Sequence, residues 1–464
     1  MFIVRKIAIL KNGIVTLQKN QLSLADTLGL GFMTFAFFLG AGNLIFPPLA
    51  GFLAGDNMTF AMFGFLSTAV GLPLLALIAV AKANGKIMAL LPAGIATLFA
   101  VTIFIIIGPA FAAPRTGLVA FEVGLKPFLG DSSATVQLAD LSFNLAQLYY
   151  TFSFFAISMI FALFPGKLLD NVGKVLTPIL LLLLVGLAIS VIILPGSNVQ
   201  PASGDYVLHP LTTGILEGYN TMDALASLIF GILIIDILRK KGIESPRAQT
   251  QYLVRAAIIA AIGLAFVYIS LFYLGATAGD LALNVTNGGQ ILTNYVVREF
   301  GSFGLVLLSS VVTLACLTTA VGLLSACSEF FNETFPVISY RIFVIGLSLI
   351  CALVANVGLS QLISISVPVL MMIYPVAIAL VLVTFLTSRF ARPIFAHRFI
   401  LSVALLFGVI DALKEAGVNV SIFDFMPLQH QGMAWLLPTL GAICICLFIK
   451  VDKNQVENMA ESLN

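Results

Sequence analysis

Apolar residues run the length of this chain in blocks about as wide as a bilayer. A stretch such as "TPILLLLLVGLAISVIILP" (177–195) carries no charge and approaches the roughly 20 residues that a membrane helix needs. Blocks of this kind centre near Phe38, Val70, Ile106, Phe155, Val185, Ile229, Gly263, Leu314, Ile350, Met372, Leu405 and Ala442. The eleventh is the weakest, because "RFILSVALLFGVIDALKEAG" (398–417) offers only a short apolar run. Ten-residue alternation of apolar and polar positions is absent, which argues against an outer-membrane barrel. The pattern predicts an all-α polytopic membrane protein with about twelve transmembrane helices.

Polar positions gather between the blocks, and none of these segments is long enough for a soluble domain. The longest are "VGLKPFLGDSSATVQLADLSFN" (123–144), "LPGSNVQPASGDYVLHPLTTG" (194–214) and "GDLALNVTNGGQILTNYVVREFGS" (279–302). The last predicts a short surface helix over Gln290–Phe300.

Two blocks break the pattern from within. The first carries "LGAGNLIFPP" (39–48), and the sixth opens with "EGYNTMDALASLIFG" (217–231). Interrupted spans five apart are the sign of a five-plus-five inverted repeat with the binding site at the interruptions. The expected organisation is a tail at 1–22, a ten-helix core at 23–390, two further helices at 391–450 and a tail at 451–464.

Composition and charge fix the setting. Of 464 residues, 60% are hydrophobic and 9% charged, with a mean hydropathy of +1.09; a soluble domain carries about 25% charged residues. With twelve spans and the N-terminus inside, nineteen of the 23 Lys and Arg fall on cytoplasmic segments, among them "LRKKGIESPR" and "TSRFARPIFAHR". Reversing the topology reverses the bias, so both termini are expected in the cytoplasm. Arg5, Lys6, Lys11 and Lys19 then make a basic tail rather than a cleaved leader. Net charge of +2 bears on topology and not on a nucleic-acid partner. No obligate protein partner is indicated; the lipid bilayer is the evident one. The histidines His209, His397 and His430 all fall in predicted loops, and the five cysteines suggest neither a disulfide framework nor a metal site.

Unwound backbone survives in a membrane only where protein or ligand satisfies it. Gly40 and Gly42 permit such backbone and let a ligand approach it, and Pro47-Pro48 suits the first turn of a new helix. The restarted helix offers the amides of Gly40, Ala41, Gly42 and Asn43 to a carboxylate, while carbonyls just before them suit a cation. The bland alternative is a kinked packing face; Asn43 favours a ligand. In the sixth block Asp223 is a carboxylate at or near membrane depth, which is usually functional or paired, with Asn220 and Thr221 beside it. Arg115 needs a partner, with Glu122 or Asp223 as candidates; it could bind a substrate carboxylate, gate the entrance, or form a structural ion pair. Thr318 and Thr319 carry little weight alone, since such hydroxyls usually bond back to their own helix. Asp26 and Ser23 compete to cap the first helix, and Asp236, Glu329 and Asp411 look mainly structural. Fingerprints for nucleotide, metal or nucleophile chemistry are absent, so neither an enzyme nor a cofactor is expected, and transport must draw on a gradient.

"LGLGFMTFAFFLGAGNLIFPPLAG" (28–51), "GPAFAAPRTGLVAFEVG" (108–124), "LFPGKLLDNVGK" (163–174), "GYNTMDALASLIFGILII" (218–235) and "NVGLSQLISISVPVLMMIYP" (356–375) resemble the branched-chain amino acid:cation symporter family, the BrnQ-type carriers of bacteria. The resemblance covers essentially the whole chain and implies uptake of leucine, isoleucine and valine across the bacterial cytoplasmic membrane, usually with Na+. That family resembles the amino acid–polyamine–cation superfamily, which has the leucine-transporter fold. "GAGN" (40–43) is similar to the break in the first helix of such transporters, and "ACLTTA" (315–320) to their eighth-helix cation motif. The likeness implies one Na+ held by the carbonyls of Ala36, Leu39 and Ala315 and the hydroxyls of Thr318 and Thr319. Asp223 departs from the pattern, standing near where those transporters use a threonine at a second sodium site. It implies a substrate whose carboxylate meets Gly40–Asn43 and whose ammonium meets the carbonyls from Tyr219 to Asp223. Phe37, Leu225 and Leu228 are expected to wall the side-chain pocket. Coupling to protons through Asp223 or Glu122 is the alternative.

Overall fold

The computed structural model describes residues 21–129, 135–138, 141–164, 174–194, 198–282 and 285–449. Both tails and most of "LFPGKLLDNVGK" lie outside the described residues. The helices in chain order are α1 (Leu24–Phe38), α2 (Ala41–Ala54), α3 (Met58–Leu66), α4 (Leu72–Lys82), α5 (Ala93–Ile105), α6 (Ala112–Val119), α7 (Leu145–Ala162) and α8 (Thr177–Ile193). They continue as α9 (Pro210–Tyr219), α10 (Asp223–Lys240), α11 (Pro246–Ala276), α12 (Gly288–Thr334), α13 (Tyr340–Val354), α14 (Leu359–Leu386), α15 (Pro393–Glu415) and α16 (Leu436–Phe448). These helices cover ten of the twelve expected centres, and Val70 and Ile106 fall on π-helical turns, Ser67–Gly71 between α3 and α4 and Ile106–Ala110 after α5. By length and composition, 8 helical segments among the described residues can cross a membrane, and 9 if α9 and α10, bent by 41°, form one span. Shorter apolar helices, α1, α13 and α16, add to these. The doubtful eleventh block is a 23-residue helix, α15.

Outward-facing side chains such as Leu182, Ile192 and Ile262 are apolar and exposed, as lipid demands. One element departs from the all-α expectation: Thr135–Leu138 and Leu141–Asn144 pair as a short antiparallel hairpin, with Thr135 opposite Asn144. The pair falls in the chain between Leu129 and α7. Gly301, at φ 58°, separates a first helical stretch of α12 from the long remainder, so the expected surface helix is distinct from the span that follows.

Close helix crossings bring the broken spans together. A Cβ on Gly51 would lie 2.0 Å from the Phe272 carbonyl oxygen, and one on Gly275 would lie 1.9 Å from that of Pro48. Only glycine allows α2 and α11 to approach so closely, the small-residue packing that membrane helices favour. Ser23 takes the cap of α1, accepting from the Asp26 amide at 3.0 Å, and leaves Asp26 to pair with Lys174 at 2.6 Å. His397 is not in a loop: it is buried in the first turns of α15, 2.9 Å from the Thr387 hydroxyl.

Candidate functional site

The first break spans Leu39 and Gly40. α1 ends at Phe38 and α2 begins at Ala41, so the amides of Ala41, Gly42 and Asn43 occupy the first turn of α2, where no intrahelical acceptor exists. The Gly40 amide is already engaged, donating to Asn43 Oδ1 at 3.1 Å. Pro47 and Pro48 are not in the first turn as expected but inside α2. There their missing N–H groups deprive the Asn43 and Leu44 carbonyls of the usual helix donors.

The second break spans Asn220–Met222, with Met222 in the left-handed conformation at φ 63° and ψ 10°. Asp223 is the first residue of α10 and only 2% exposed. The positive end of α10 favours its charge. Its Oδ2 accepts from Asn43 Nδ2 at 2.7 Å and from the Tyr268 hydroxyl at 2.6 Å, and Asn43 also contacts Tyr268 directly. Asn43 therefore ties the two breaks together through one side chain.

A group of oxygens lies behind the first break. Thr318 Oγ1 is 3.2 Å from the Ala36 carbonyl and 2.9 Å from that of Ala315, while Thr319 Oγ1 is 3.0 Å from the Ala36 carbonyl. Four of the five oxygens expected for a cation thus converge between α1 and α12. The set contains no carboxylate, and hard carbonyl and hydroxyl oxygens suit an alkali ion.

Both breaks open onto a small cavity of about 20 Å3, room for roughly one water. Gly40, Ala41, Gly42, Asn43, Thr221 and Asp223 line it, together with Phe37 and Arg115. Other expected residues point elsewhere. Tyr219 stacks on Tyr374 with ring centroids 4.2 Å apart, and Asn220 donates to Glu217 Oε2 at 3.1 Å. Leu225 is buried in the core away from the cavity, and Leu228 faces a separate cavity with Met88 and Phe330. The phase of α10 explains this: with Asp223 facing the site, positions three and seven further on follow it, and these are Ala226 and Phe230. Glu122 does not pair with Arg115; it binds Lys126 at 2.7 Å, one turn ahead on its own helix.

Sequence reasoning missed Tyr268, Phe38, Phe230 and Leu323. The aromatic group is continuous, with Phe230 5.2 Å from Phe37 and 5.4 Å from Phe38 by ring centroids. Helical phase from Asp223 would have found Phe230; nothing in the local pattern of "LAFVYISLFY" marks Tyr268. A further irregularity, the non-helical Gly108 followed by Phe111 at φ −135°, separates α5 from α6, the helix that carries Arg115.

A family profile described as "Branched-chain amino acid transport protein" matches residues 23–453. The chain belongs to this family. The branched-chain amino acid transport system 2 carrier protein of Pseudomonas aeruginosa is 46% identical over 436 residues, covering 92% of this chain and 96% of that protein. The branched-chain amino acid permease BrnQ of Escherichia coli is 41% identical over 437 residues, with 92% and 96% covered. These relatives of the branched-chain amino acid transport family are carriers and permeases, not enzymes. Among solved structures, MhsT in complex with L-phenylalanine aligns with a TM-score of 0.56 at 16% identity, covering 92% of this chain and 98% of that one. Mhp1, a nucleobase-cation-symport-1 family transporter, aligns with a TM-score of 0.56 at 15% identity, covering 91% of each chain. The fold is therefore that of the leucine-transporter-like carriers.

Proposed function

We propose that this chain takes up leucine, isoleucine and valine across the bacterial cytoplasmic membrane by Na+ symport with alternating access. The observation that carries the reading is the convergence of Ala36, Ala315, Thr318 and Thr319 oxygens immediately behind a helix break in a branched-chain amino acid transport family member. Na+ sits among these oxygens and the Leu39 carbonyl. The substrate's carboxylate meets the amides at the start of α2, where the helix dipole favours an anion. Its ammonium meets the carboxylate of Asp223, which Asn43 and Tyr268 hold in place through Oδ2. Phe37, Phe38 and Phe230 receive the branched side chain, each added methylene contributing roughly 1–3 kcal/mol of discrimination.

A cavity of about 20 Å3 is too small for leucine, so binding requires these aromatic walls to part. A larger cavity of about 660 Å3, lined by Lys86, Thr97, Leu228 and Phe330, gives the substrate an exit. Under the twelve-span topology with both termini inside, that cavity is cytoplasmic. The core at 23–390 carries the five-plus-five repeat, and 391–450 adds two helices.

Proton coupling is the second reading, favoured by the deep burial of Asp223 with no cation paired to it among the described residues. Glu122, tied to a half-exposed Lys126, drops out of it. Uptake of labelled leucine into proteoliposomes under an imposed Na+ gradient or an imposed proton gradient separates the two. The Na+ reading expects accumulation with Na+ outside at equal pH, and it fails if uptake ignores Na+ and follows external acid.

A further inference from the structure

We propose that Arg115 receives the substrate's α-carboxylate, so that Arg115 and Asp223 together select a zwitterion. This rests on an amino acid occupying the cavity at the two breaks, and it adds a second anion-binding element to the amides of α2.

Arg115 is a buried guanidinium with most of its bonding capacity unspent. It is 3% exposed, and among the described residues no ion pair reaches it. Among the described residues its hydrogen bond is long, from Nη2 to the Thr221 carbonyl at 3.4 Å, and Nε has no partner. Phe46 lies 5.3 Å from the guanidinium carbon and supports its flat face. A guanidinium has five donors in a fixed fork, and a purely structural arginine in a membrane protein normally finds a carboxylate or several carbonyls. A side chain this buried, held by its face with its edge left over, is arranged for an incoming anion.

The position of the fork identifies the anion. A Cβ on Gly42 would stand 2.7 Å from Arg115 Nη2, so the guanidinium lies directly against the first turn of α2. Helix amides and guanidinium therefore converge on one end of the cavity. Asp223, whose Oδ2 is held by Asn43 and Tyr268, lines the same cavity. A carboxylate and an ammonium on one carbon would bridge the two charged groups, and the bidentate match of guanidinium to carboxylate makes lysine a poor replacement. Gly42 is required here for space, since any larger residue would displace the fork.

The test is competition against labelled leucine, in proteoliposomes and by ligand-induced thermal shift of the purified full chain, using leucine, leucinamide and 4-methylpentanoate. In the wild-type protein leucinamide, lacking the carboxylate, competes at least about 30-fold less well than leucine, the value of one or two charge-assisted hydrogen bonds. Arg115→Gln weakens leucine about 30-fold while leucinamide changes by less than about threefold, so the preference collapses. Arg115→Lys keeps the buried charge, and with it assembly, yet recovers only part of the preference. Should Arg115→Gln not assemble, Arg115→Lys decides by the thermal-shift arm. A wild-type leucine-to-leucinamide ratio retained in either variant overturns the assignment. A wild-type protein that binds no leucine overturns the substrate reading instead, and the two failures are distinct.

Discussion

At the first break the backbone takes an ordinary extended conformation, with Gly40 at φ −118° and ψ −157°; at the second, Met222 is forced into the left-handed region at φ 63°. The glycine thus sits where φ does not require one, and a bulky residue sits where φ favours glycine. Space resolves the first half of the contrast. A Cβ on Gly40 would lie 2.9 Å from Thr319 Cγ2, and one on Gly42 3.2 Å from the Thr221 backbone. The glycines of the first break exist to admit neighbours, the threonine of the oxygen cluster and the chain of the second break. The second break works through side chains, holding Asp223 at the start of α10 and accepting local strain to do so. One break supplies backbone groups for an ion and a carboxylate; the other supplies a fixed charge. Asn43, accepting from Gly40 and donating to Asp223, couples the two.

The largest effect is expected from removing the fixed charge. Asp223→Asn preserves the shape and keeps one oxygen to accept from Tyr268 and Asn43, but it loses the charge that meets the ammonium, and leucine uptake should fall about 100-fold, equivalent to roughly 2.7 kcal/mol. Initial uptake rates at saturating Na+ measure it. If this variant instead kept leucine affinity and lost only its dependence on the driving ion, the ion would belong to the second break. The converse experiment is Thr318→Ala with Thr319→Ala, which removes two hydroxyls facing the Ala36 carbonyl. Apparent Na+ affinity should drop about tenfold, with membrane insertion intact. Wild-type Na+ dependence in the double variant would sink the cation assignment and erase the division of labour.

How far this contrast could be read in advance depended on the range of the interactions. Both breaks were visible because glycine, asparagine and aspartate are conspicuous against apolar runs, and the fold followed from the spacing of those runs. The convergence of Ala36, Ala315, Thr318 and Thr319 came from family resemblance; no local rule links residues nearly 300 positions apart. Apolar chemistry alone points to Leu225 and Leu228, whereas the helical phase set by Asp223 selects Ala226 and Phe230. Pro47 and Pro48 suggested a helix start, but Asn43 reaching back to Gly40 places that start six residues earlier. Opposite charge suggests Glu122 as a partner for Arg115, whereas Lys126, one turn away, is the one that reaches it. Tyr268 gave no signal at all, since a tyrosine in an apolar span looks like core until its hydroxyl is placed.

Tyr268 tests the second break more gently than the loss of Asp223 does. Tyr268→Phe removes one of the two donors to Asp223 Oδ2 while Asn43 keeps the other. The ring still packs edge-on against Phe65, 5.4 Å away, so the fold should hold. Leucine uptake should fall about fivefold to tenfold, the effect of one hydrogen bond to a charged group. An effect as large as that of Asp223→Asn would mean that the tyrosine, not the carboxylate, meets the ligand.

The smallest effect concerns backbone strain, and it must be isolated from the loss of a side chain. Met222 is 2% exposed, so replacing it with either alanine or glycine discards buried contacts worth roughly 2–5 kcal/mol. Only glycine also relieves the left-handed conformation, which disfavours a residue with a Cβ by about 1–2 kcal/mol. Some of that relief is offset by the greater freedom of glycine in the unfolded chain, about 0.5–1 kcal/mol. Met222→Gly should therefore be more stable than Met222→Ala by about 1 kcal/mol, despite having the smaller residue. Thermal denaturation of the two variants side by side measures the difference. The same pair at Gly40 should differ for another reason: there alanine meets no left-handed penalty, and its cost enters through the crowding of Thr319 and hence through the ion. Equal stability of the two Met222 variants would remove strain from the second break and leave only its charge to distinguish it from the first.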